Sequence, residues 1–310
     1  MFHPLLRQWF EDKYGTPTPI QESGWSSIAS GRHVLISAPT GSGKTLAAFL
    51  WALDRLIRGD WDCDTVRVLY VSPLQALNND IRSNLLVPLG ELRRRFQDAG
   101  EAFPEIRVMT RSGDTSQRDR RSMTAHPPPI LITTPESLNI LLTSDRGRGI
   151  FGGIRTVILD EIHAVAGTKR GSYLMTAVER VRLLADPGEF QRIALSATVR
   201  PAERVAEFVA GVDESGNRRT IDILQSPEEK RLQIQVRFPG GSDPGTAGSG
   251  SNDPGGAEST VKETEGSYAD GRRVEGLSKG IWKALVADLK EIIGKNRSTL
   301  IFTTTRRHAE

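Results

Sequence analysis

Short apolar segments alternate with amphipathic segments of helical length through the first two thirds of the chain. Six apolar, β-branched runs predict buried strands, at 33–37, 66–71, 106–109, 130–133, 156–159 and 191–195. The longer segments predict helices, at 44–57, 76–95, 135–142, 173–184 and 202–210. Nearly continuous apolar strands joined by helical crossovers form parallel sheets that are covered on both faces. We therefore predict an α/β fold in which a parallel sheet is flanked by helices.

The composition changes near residue 226. Residues 231–238 alternate apolar and polar positions, which predicts a half-exposed strand, and residues 240–277 contain a tract rich in glycine, serine and proline, which predicts a flexible insertion. A helix at 281–293 and a strand at 298–303 are predicted to follow. The predicted parts are therefore a domain at 1–225, a strand with a flexible insertion at 226–277, and the start of a second domain at 278–310.

Composition excludes several classes of protein. The 310 residues include 41 Lys and Arg and 38 Asp and Glu, and this net charge of +3 excludes a polycationic protein. The single cysteine, Cys63, excludes an intrachain disulfide and a Cys-x-x-Cys metal site. No apolar run approaches the ~20 residues of a membrane-spanning helix, and residues 1–5 lack the features of a signal peptide. We expect a cytoplasmic protein with no membrane partner.

A glycine-rich loop with the sequence APTGSGKT follows the first predicted strand and opens a predicted helix. In this context the loop predicts a phosphate-binding loop, because its backbone N–H groups and the helix N-terminus point at anionic oxygens. We expect Lys44 to reach the β- and γ-phosphates of ATP and Thr45 to bind Mg²⁺. The alternative is a glycine-rich turn that merely carries a lysine. The predicted nucleotide-binding residues are Ala38, Pro39, Thr40, Gly41, Ser42, Gly43, Lys44 and Thr45.

Two carboxylates, Asp160 and Glu161, end the apolar strand at 156–159. After a phosphate-binding loop, such a pair predicts that Asp160 holds the Mg²⁺ water shell and that Glu161 orients and deprotonates the attacking water. Taken alone, an acidic pair after a strand is often only the start of a helix. Together with Lys44, the pair indicates a nucleoside triphosphatase, and His163 is placed to link this site to neighbouring segments.

Several further short motifs follow one another in a specific order, at 10–21, 70–80, 111–115, 133–138, 196–198 and 298–310. With the loop at 38–45 and the Asp-Glu-Ile-His run at 160–163, the chain resembles the DExH-box helicases of superfamily 2 and, more narrowly, the Large helicase-related (Lhr) family. The resemblance implies a RecA-like P-loop domain followed by the start of a second RecA-like domain. It also implies ATP-dependent 3′-to-5′ translocation on DNA and a role in DNA repair.

The resemblance also implies roles for individual residues. Gln21 would read the edge of the adenine, and the run from Ser196 through Ala197 to Thr198 would couple hydrolysis to domain movement together with His163. Three loops at the carboxyl ends of predicted strands would contact the nucleic-acid backbone through small side chains, backbone N–H groups and one arginine. These predicted contact residues are Ser72, Pro73, Leu74, Arg111, Gly113, Asp114, Thr134, Pro135 and Glu136.

The predicted partner is single-stranded DNA or a DNA duplex with a 3′ tail, and an RNA–DNA hybrid is a further candidate. Without the family pattern, the same loops are interpreted as helix caps. The basic clusters at 93–95, 118–121 and 169–170 are interpreted as solvated faces.

Helicases of this class complete their ATP site with an arginine finger from the second RecA-like domain, and no such motif lies in the appropriate place here. We therefore expect an N-terminal fragment of a helicase, incomplete as a motor. Two alternatives remain, which are an RNA helicase and a nucleotide- and nucleic-acid-binding module without turnover. The Asp-Glu-Ile-His run argues against the RNA helicase.

Overall fold

The computed structural model describes residues 2–186, 188–226 and 271–302. The chain divides into two compact units, Met1–Glu228 and Glu229–Glu310. The strand predicted at 231–238 and the predicted insertion up to residue 270 lie outside the described residues.

A parallel sheet with the strand order β3-β4-β2-β5-β6-β1-β7 forms the centre of the first unit. Its seven strands, counted over the described residues, are β1 His33–Ser37, β2 Val68–Val71, β3 Val108–Arg111, β4 Ile130–Thr133, β5 Thr156–Leu159, β6 Gln191–Ser196 and β7 Ile221–Gln225. The predicted α/β fold with a parallel sheet is confirmed. Strand β7 was not predicted, because its side chains at the sheet edge are only half-buried and its apolar pattern is weak.

Helices connect the strands and cover the sheet. In the first unit they are α1 Pro4–Tyr14, α2 Pro19–Ala29, α3 Lys44–Ile57, α4 Gln75–Asp98, α5 Gln117–Ala125, α6 Pro135–Leu141, α7 Asp145–Gly149, α8 Lys169–Arg182 and α9 Ala202–Ala210, with a 3₁₀ turn at Ile162–Ala164. Helices α3 and α9 have the predicted bounds. Helices α1, α2, α5 and α7 were not predicted, because each is short, at 11, 11, 9 and 5 residues, and α5 and α7 contain few apolar residues.

Two hydrophobic clusters, one on each face of the sheet, form the core of the first unit. Val34 and Ile36 of β1 belong to the cluster that includes residues of α1 to α4, whereas Leu35 belongs to the cluster with residues of α6, α8 and α9. Successive side chains of a strand point to opposite faces, so a strand that is covered on both faces must be apolar throughout. This burial explains the continuous apolar runs of the sequence.

A tight turn at 213–217 joins α9 to β7. The Asp213 carboxylate accepts the backbone N–H groups of Ser215 and Asn217, at 2.9 Å each, and residues 214–217 are exposed. Because the turn comes directly before β7, it lies at the amino edge of the sheet, where the parallel strands begin.

The second unit contains helix α10, Gly271–Lys295. It begins ten residues before the predicted start at 281, within the segment predicted as an insertion, because the spacing of Val274 and Leu277 before Ile281 continues the helical period. The strand predicted at 298–303 is wrong over residues 298–302, which have no regular structure. An apolar run becomes a strand only where a neighbouring strand pairs with its backbone.

The described helices include none with the length and apolar character of a membrane span.

Candidate functional site

The glycine-rich loop connects β1 to the first turn of α3. Gly41 and Gly43 have φ angles of 85° and 82°, a left-handed backbone that favours glycine. A Cβ atom on Gly43 would lie 2.3 Å from Nε2 of Gln21, so no other residue fits there without displacing that side chain. The loop therefore enters α3 with the N–H groups of its first helical turn free of intrahelical partners.

Two side chains at the N-terminal end of α2 form hydrogen bonds with this loop. The Thr18 hydroxyl donates to the carbonyl oxygen of Ser42 at 3.2 Å, and Nε2 of Gln21 donates to the carbonyl oxygen of Gly43 at 3.4 Å. Oε1 of Gln21 accepts the backbone N–H of Thr18 at 3.0 Å. Gln21, predicted as an adenine contact, is thus buried against the loop. Its amide retains one N–H and one lone pair for a ligand.

Lys44 is the first residue of α3, and only 5% of it is exposed. Among the residues that the structure describes, its ammonium group has no hydrogen bond and no ion pair. The buried Ser42 hydroxyl likewise has no partner within that part of the chain. Buried polar groups are normally hydrogen-bonded, so unpaired donors at a helix N-terminus fit an anionic ligand.

The predicted acidic pair follows β5. Asp160 is buried, its Oδ1 accepts the backbone N–H of Glu161 at 2.8 Å, and its Oδ2 accepts the hydroxyl of Tyr70. Burial raises the pKa of Asp160, although the hydrogen bond from Tyr70 opposes the rise. Tyr70, on the neighbouring strand β2, was not predicted, because it lies within an apolar run that indicated only a strand.

Glu161 has φ 49° and ψ 36°. Among the residues that the structure describes, it is the one non-glycine residue with a positive φ. Such backbones cluster at functional sites. Its Oε2 lies 3.4 Å from Nε2 of His163, whose Nδ1 accepts the backbone N–H of Ala197 at 3.2 Å. The proton of the neutral ring is therefore on Nε2 and faces Glu161. His163 thus links the turn after β5 to the end of β6, where Ser196 is buried and Thr198 is exposed.

One cavity of about 540 Å³ joins the loop to the acidic pair. Its lining residues are Tyr14, Thr16, Thr18, Gln21, Thr40, Gly41, Ser42, Gly43, Lys44, Thr45, Leu46, Ile81, Asp160 and Glu161. Ala38 and Pro39 are not among them, and Ala38 is fully buried behind the loop. The volume falls within the range of small-molecule sites.

Two hard oxygen donors, the hydroxyl of Thr45 and the carboxylate of Asp160, line this cavity. Among the described side chains, no group of three or more His, Cys, Asp and Glu is placed to hold a metal ion. Proteins usually bind Mg²⁺ through one or two carboxylates together with substrate phosphates and water. The donor set therefore fits a Mg²⁺ ion that shares its coordination with a nucleotide.

The loops predicted to contact nucleic acid follow three adjacent strands, β3, β4 and β2. Arg111 pairs in register with Thr133, and Thr133 pairs with Val71, so Thr134 and Ser72 follow at the same edge of the sheet. Ser72, Pro73, Arg111, Thr134 and Pro135 are buried, whereas Leu74, Gly113, Asp114 and Glu136 are exposed. The structure therefore brings the loops together but exposes only part of the predicted set.

Two arginines hold these loops in place. Arg120 donates to the carbonyl oxygens of Gly113 and Thr115 at 2.7 and 2.8 Å. Arg170 pairs with Glu136 through two N–O contacts of 2.6 and 3.1 Å, and this pairing lowers the pKa of Glu136. Both arginines lie in clusters that were interpreted as solvated faces; Arg170 is indeed exposed, whereas Arg120 is half-buried, so the interpretation fails only for Arg120. Nothing in the sequence distinguishes Arg120 from its solvated neighbours.

The profile of the DEAD/DEAH box helicase family matches residues 18–206, and the chain belongs to this family. It is 43% identical over 309 residues to the ATP-dependent helicase Lhr-Core protein 2 of Thermococcus barophilus, covering 98% of this chain and 32% of that protein. It is 40% identical over 319 residues to the Lhr helicase/uracil glycosylase of Escherichia coli, covering 100% of this chain and 19% of that protein. The resemblance to Lhr helicases is confirmed.

Solved structures of helicases also match the fold of this chain. A Mycobacterium smegmatis helicase Lhr bound to ssDNA and AMP-PNP matches with a TM-score of 0.76 and 40% identity, over 99% of this chain and 34% of that chain. The DEAD-box helicase Mss116 bound to ssRNA and UDP-BeF matches with a TM-score of 0.60 at 19% identity, over 72% of this chain and 43% of that chain, which shows the shared RecA-like fold. The chain spans about a third or less of the length of the two curated relatives.

Proposed function

We propose that this chain is the ATP-binding and DNA-contacting part of an Lhr-type, ATP-dependent DNA helicase. One observation carries the proposal, which is the single cavity that joins Lys44 to Asp160 and Glu161. A fixed cation, free helix N–H groups and two carboxylates in one cavity suit the binding and hydrolysis of a nucleoside triphosphate.

In this proposal the loop binds the phosphates of ATP. The ammonium of Lys44 contacts the β- and γ-phosphates, because it is a buried cation in the cavity lining that makes no hydrogen bond or ion pair among the described residues. The hydroxyl of Ser42 and the N–H groups at 40–45 donate to the remaining oxygens. Gln21 contacts the adenine with the donor and acceptor that its bonds to the loop leave free.

Hydrolysis requires a metal ion and a base. Thr45 and Asp160 would hold Mg²⁺, which supplies charge neutralisation on the phosphates. Glu161 accepts a proton from the attacking water, and the Nε2–H of His163 keeps its carboxylate oriented. Through the contact between His163 and Ala197, this orientation depends on the end of β6. The run at 196–198 would therefore sense the state of the ATP site.

We propose that the loops after β3, β4 and β2 contact single-stranded DNA or the 3′ tail of a duplex. The support is their common edge and the ssDNA bound by the similar Lhr helicase. An RNA–DNA hybrid is a further candidate. We also propose a role in DNA repair and a cytoplasmic location. The proposed parts are a first domain at 1–225, an inserted segment, and the start of a second RecA-like domain that includes the whole of α10 from Gly271, because α10 runs through the boundary predicted at 277.

The variant Glu161→Gln tests this proposal. We expect it to bind Mg²⁺ and a non-hydrolysable ATP analogue as the wild type does in isothermal titration, and to lose hydrolysis in a single-turnover assay, because only the base is removed. Equal hydrolysis in both proteins would contradict the role of Glu161. Binding without hydrolysis in the wild type, with single-stranded DNA present, would favour a binding module. Stimulation by RNA and not by DNA would favour an RNA helicase.

A further inference from the structure

Tyr70 carries a hydroxyl group into the centre of the sheet. It lies on β2 between Ile132 of β4 and Ile158 of β5, and it is fully buried. The other residues of β2, Val68, Leu69 and Val71, are apolar. A buried hydroxyl without a partner destabilises a protein, so a tyrosine here requires an acceptor. That acceptor is Oδ2 of Asp160.

The ring and the hydroxyl of Tyr70 contact two different elements of the fold. The ring stacks on Phe49 of α3, with centroids 5.3 Å apart and an angle of 26° between the planes. Phe49 lies one helical turn after Thr45. The hydroxyl bonds to Asp160, so a single side chain joins the helix that begins with Lys44 to the acidic turn.

Both oxygens of Asp160 are held. Oδ1 accepts the N–H of Glu161 at 2.8 Å, and Oδ2 accepts the hydroxyl of Tyr70. A carboxylate offers about four lone-pair positions, so about two remain for the cavity that Asp160 lines. A hydrogen bond to each oxygen restricts rotation of the carboxylate plane.

We propose that Tyr70 is a positioning residue that orients Asp160 toward the Mg²⁺ ion of the bound nucleotide. This inference rests on the function proposed above, in which Asp160 helps to hold that ion. Partners that orient metal ligands typically change metal affinity by about 10- to 100-fold when they are removed. Tyr70 acts on Asp160 and not on the nucleotide, so its loss should weaken only the Mg²⁺-dependent part of binding.

The variant Tyr70→Phe removes the hydroxyl and keeps the ring. The experiment is isothermal titration of a non-hydrolysable ATP analogue at a series of Mg²⁺ concentrations and in EDTA. We expect the Mg²⁺ concentration at half-maximal stabilisation of the complex to rise about 10-fold or more. Affinity in EDTA should stay within about twofold of the wild type, because without Mg²⁺ the orientation of Asp160 contributes little.

Two control variants separate orientation from general packing. Tyr173→Phe makes the same chemical change on the exposed face of α8, and it should leave both affinities unchanged. Phe49→Leu disturbs the stacked ring and keeps the hydroxyl of Tyr70, and it should leave the Mg²⁺ midpoint within about twofold. A midpoint shift in Phe49→Leu equal to that of Tyr70→Phe would overturn the inference, because packing would then explain both.

The outcomes separate this inference from the proposed function. If the wild type binds the analogue in a Mg²⁺-dependent manner and Tyr70→Phe has the same midpoint, only the role of Tyr70 is refuted. An equal loss of affinity with Mg²⁺ and in EDTA also refutes it. If binding by the wild type does not depend on Mg²⁺, the proposed metal role of Asp160 fails, and the role of Tyr70 fails with it.

Discussion

At the amino edge of the sheet, the buried guanidinium of Arg192 is paired with Glu179 at 2.8 Å. At the carboxyl edge, the buried ammonium of Lys44 has no hydrogen bond or ion pair among the described residues. Arg192 also donates to the carbonyl oxygens of Val209 and Ala210 at 3.0 and 3.1 Å. The chain thus supplies an ion pair and two carbonyl acceptors to Arg192, and no hydrogen bond or ion pair to Lys44 among the described residues.

The difference between the two edges of the sheet extends to other charged residues. Arg219, also buried, pairs with Glu179 and with Glu189, both at 3.2 Å. Burial alone would raise the pKa of Glu179, but the hydrogen bonds and charges of Arg192 and Arg219 hold it below its ordinary value. At the carboxyl edge, by comparison, Glu161 has a left-handed backbone. Paired charges are typical of a structural site, whereas open charges and backbone strain are typical of a functional site.

The largest effect is expected from Glu179→Ala. This variant leaves two buried guanidinium groups without their shared carboxylate, and it should lower the free energy of unfolding by about 3–5 kcal/mol in urea denaturation. The matched control is Glu207→Ala, which removes an exposed pair with Arg218 and should change stability by at most about 1 kcal/mol. Similar losses in both variants would contradict a structural role for the amino edge.

Lys44→Ala should have the opposite profile. We expect a loss of at least about 100-fold in affinity for a non-hydrolysable ATP analogue, because the cation proposed to contact the phosphates is removed. The free energy of unfolding should stay within about 1 kcal/mol of the wild type, because Lys44 makes no hydrogen bond or ion pair in the described part of the chain. Isothermal titration and urea denaturation measure the two quantities. A destabilisation as large as that of Glu179→Ala would remove the distinction between the edges.

A pH dependence is expected from His33, at the start of β1. Burial and the charges of Arg192 and Arg219 lower the pKa of His33 from 6.5 to about 4. The unfolded chain therefore binds a proton as the pH falls below about 6.5, while the folded chain stays neutral until about pH 4. The contribution of His33 to the free energy of unfolding is therefore fully present above about pH 6.5. It should fall by about 2 kcal/mol between pH 7.5 and pH 5.

His33→Gln isolates this contribution. The Nδ1 atom of His33 accepts the backbone N–H of Arg192 at 3.1 Å, and the glutamine side chain offers an oxygen that does not titrate in this range. We expect the difference in unfolding free energy between pH 7.5 and pH 5 to be smaller in the variant by about the same 2 kcal/mol. Parallel pH profiles for wild type and variant would show that His33 does not titrate with folding.

The smallest effect concerns the strain at Glu161. Glu161→Gly and Glu161→Ala both lack the carboxylate, but only glycine adopts a left-handed backbone without a steric penalty. We expect the glycine variant to be more stable than the alanine variant by about 1 kcal/mol. Thermal and urea unfolding of the pair measure this difference. If alanine is equally stable, the turn relaxes and Glu161 stores no strain.

Strong local patterns made part of the molecule predictable. The bounds of α3 and the glycine-rich loop followed from a buried helix face and from glycine at positive φ, and the grouping of Lys44 with Asp160 followed from parallel strands that end at one edge. Strand β7 and the polar helix α5 lack such patterns, since pairing with β1 and tertiary packing define them. The hydrogen bond of Tyr70 and the ion pair of Arg192 depend on residues that are distant in the sequence and become neighbours only in the fold. The sequence alone does not show which distant residues will meet.

The exposed turn at 213–217 offers a site for attaching a reporter at the amino edge of the sheet. Its ends are closed by the contact between Val212 and Arg218 and by the Asp213 carboxylate, so the backbone on either side is already fixed. Exposed tips of this kind accept inserted domains. A fluorescent reporter placed there would stand at the edge of the sheet opposite the cavity that Lys44 and Asp160 line. We therefore expect a label at this turn to leave the cavity and the loops after β2, β3 and β4 open.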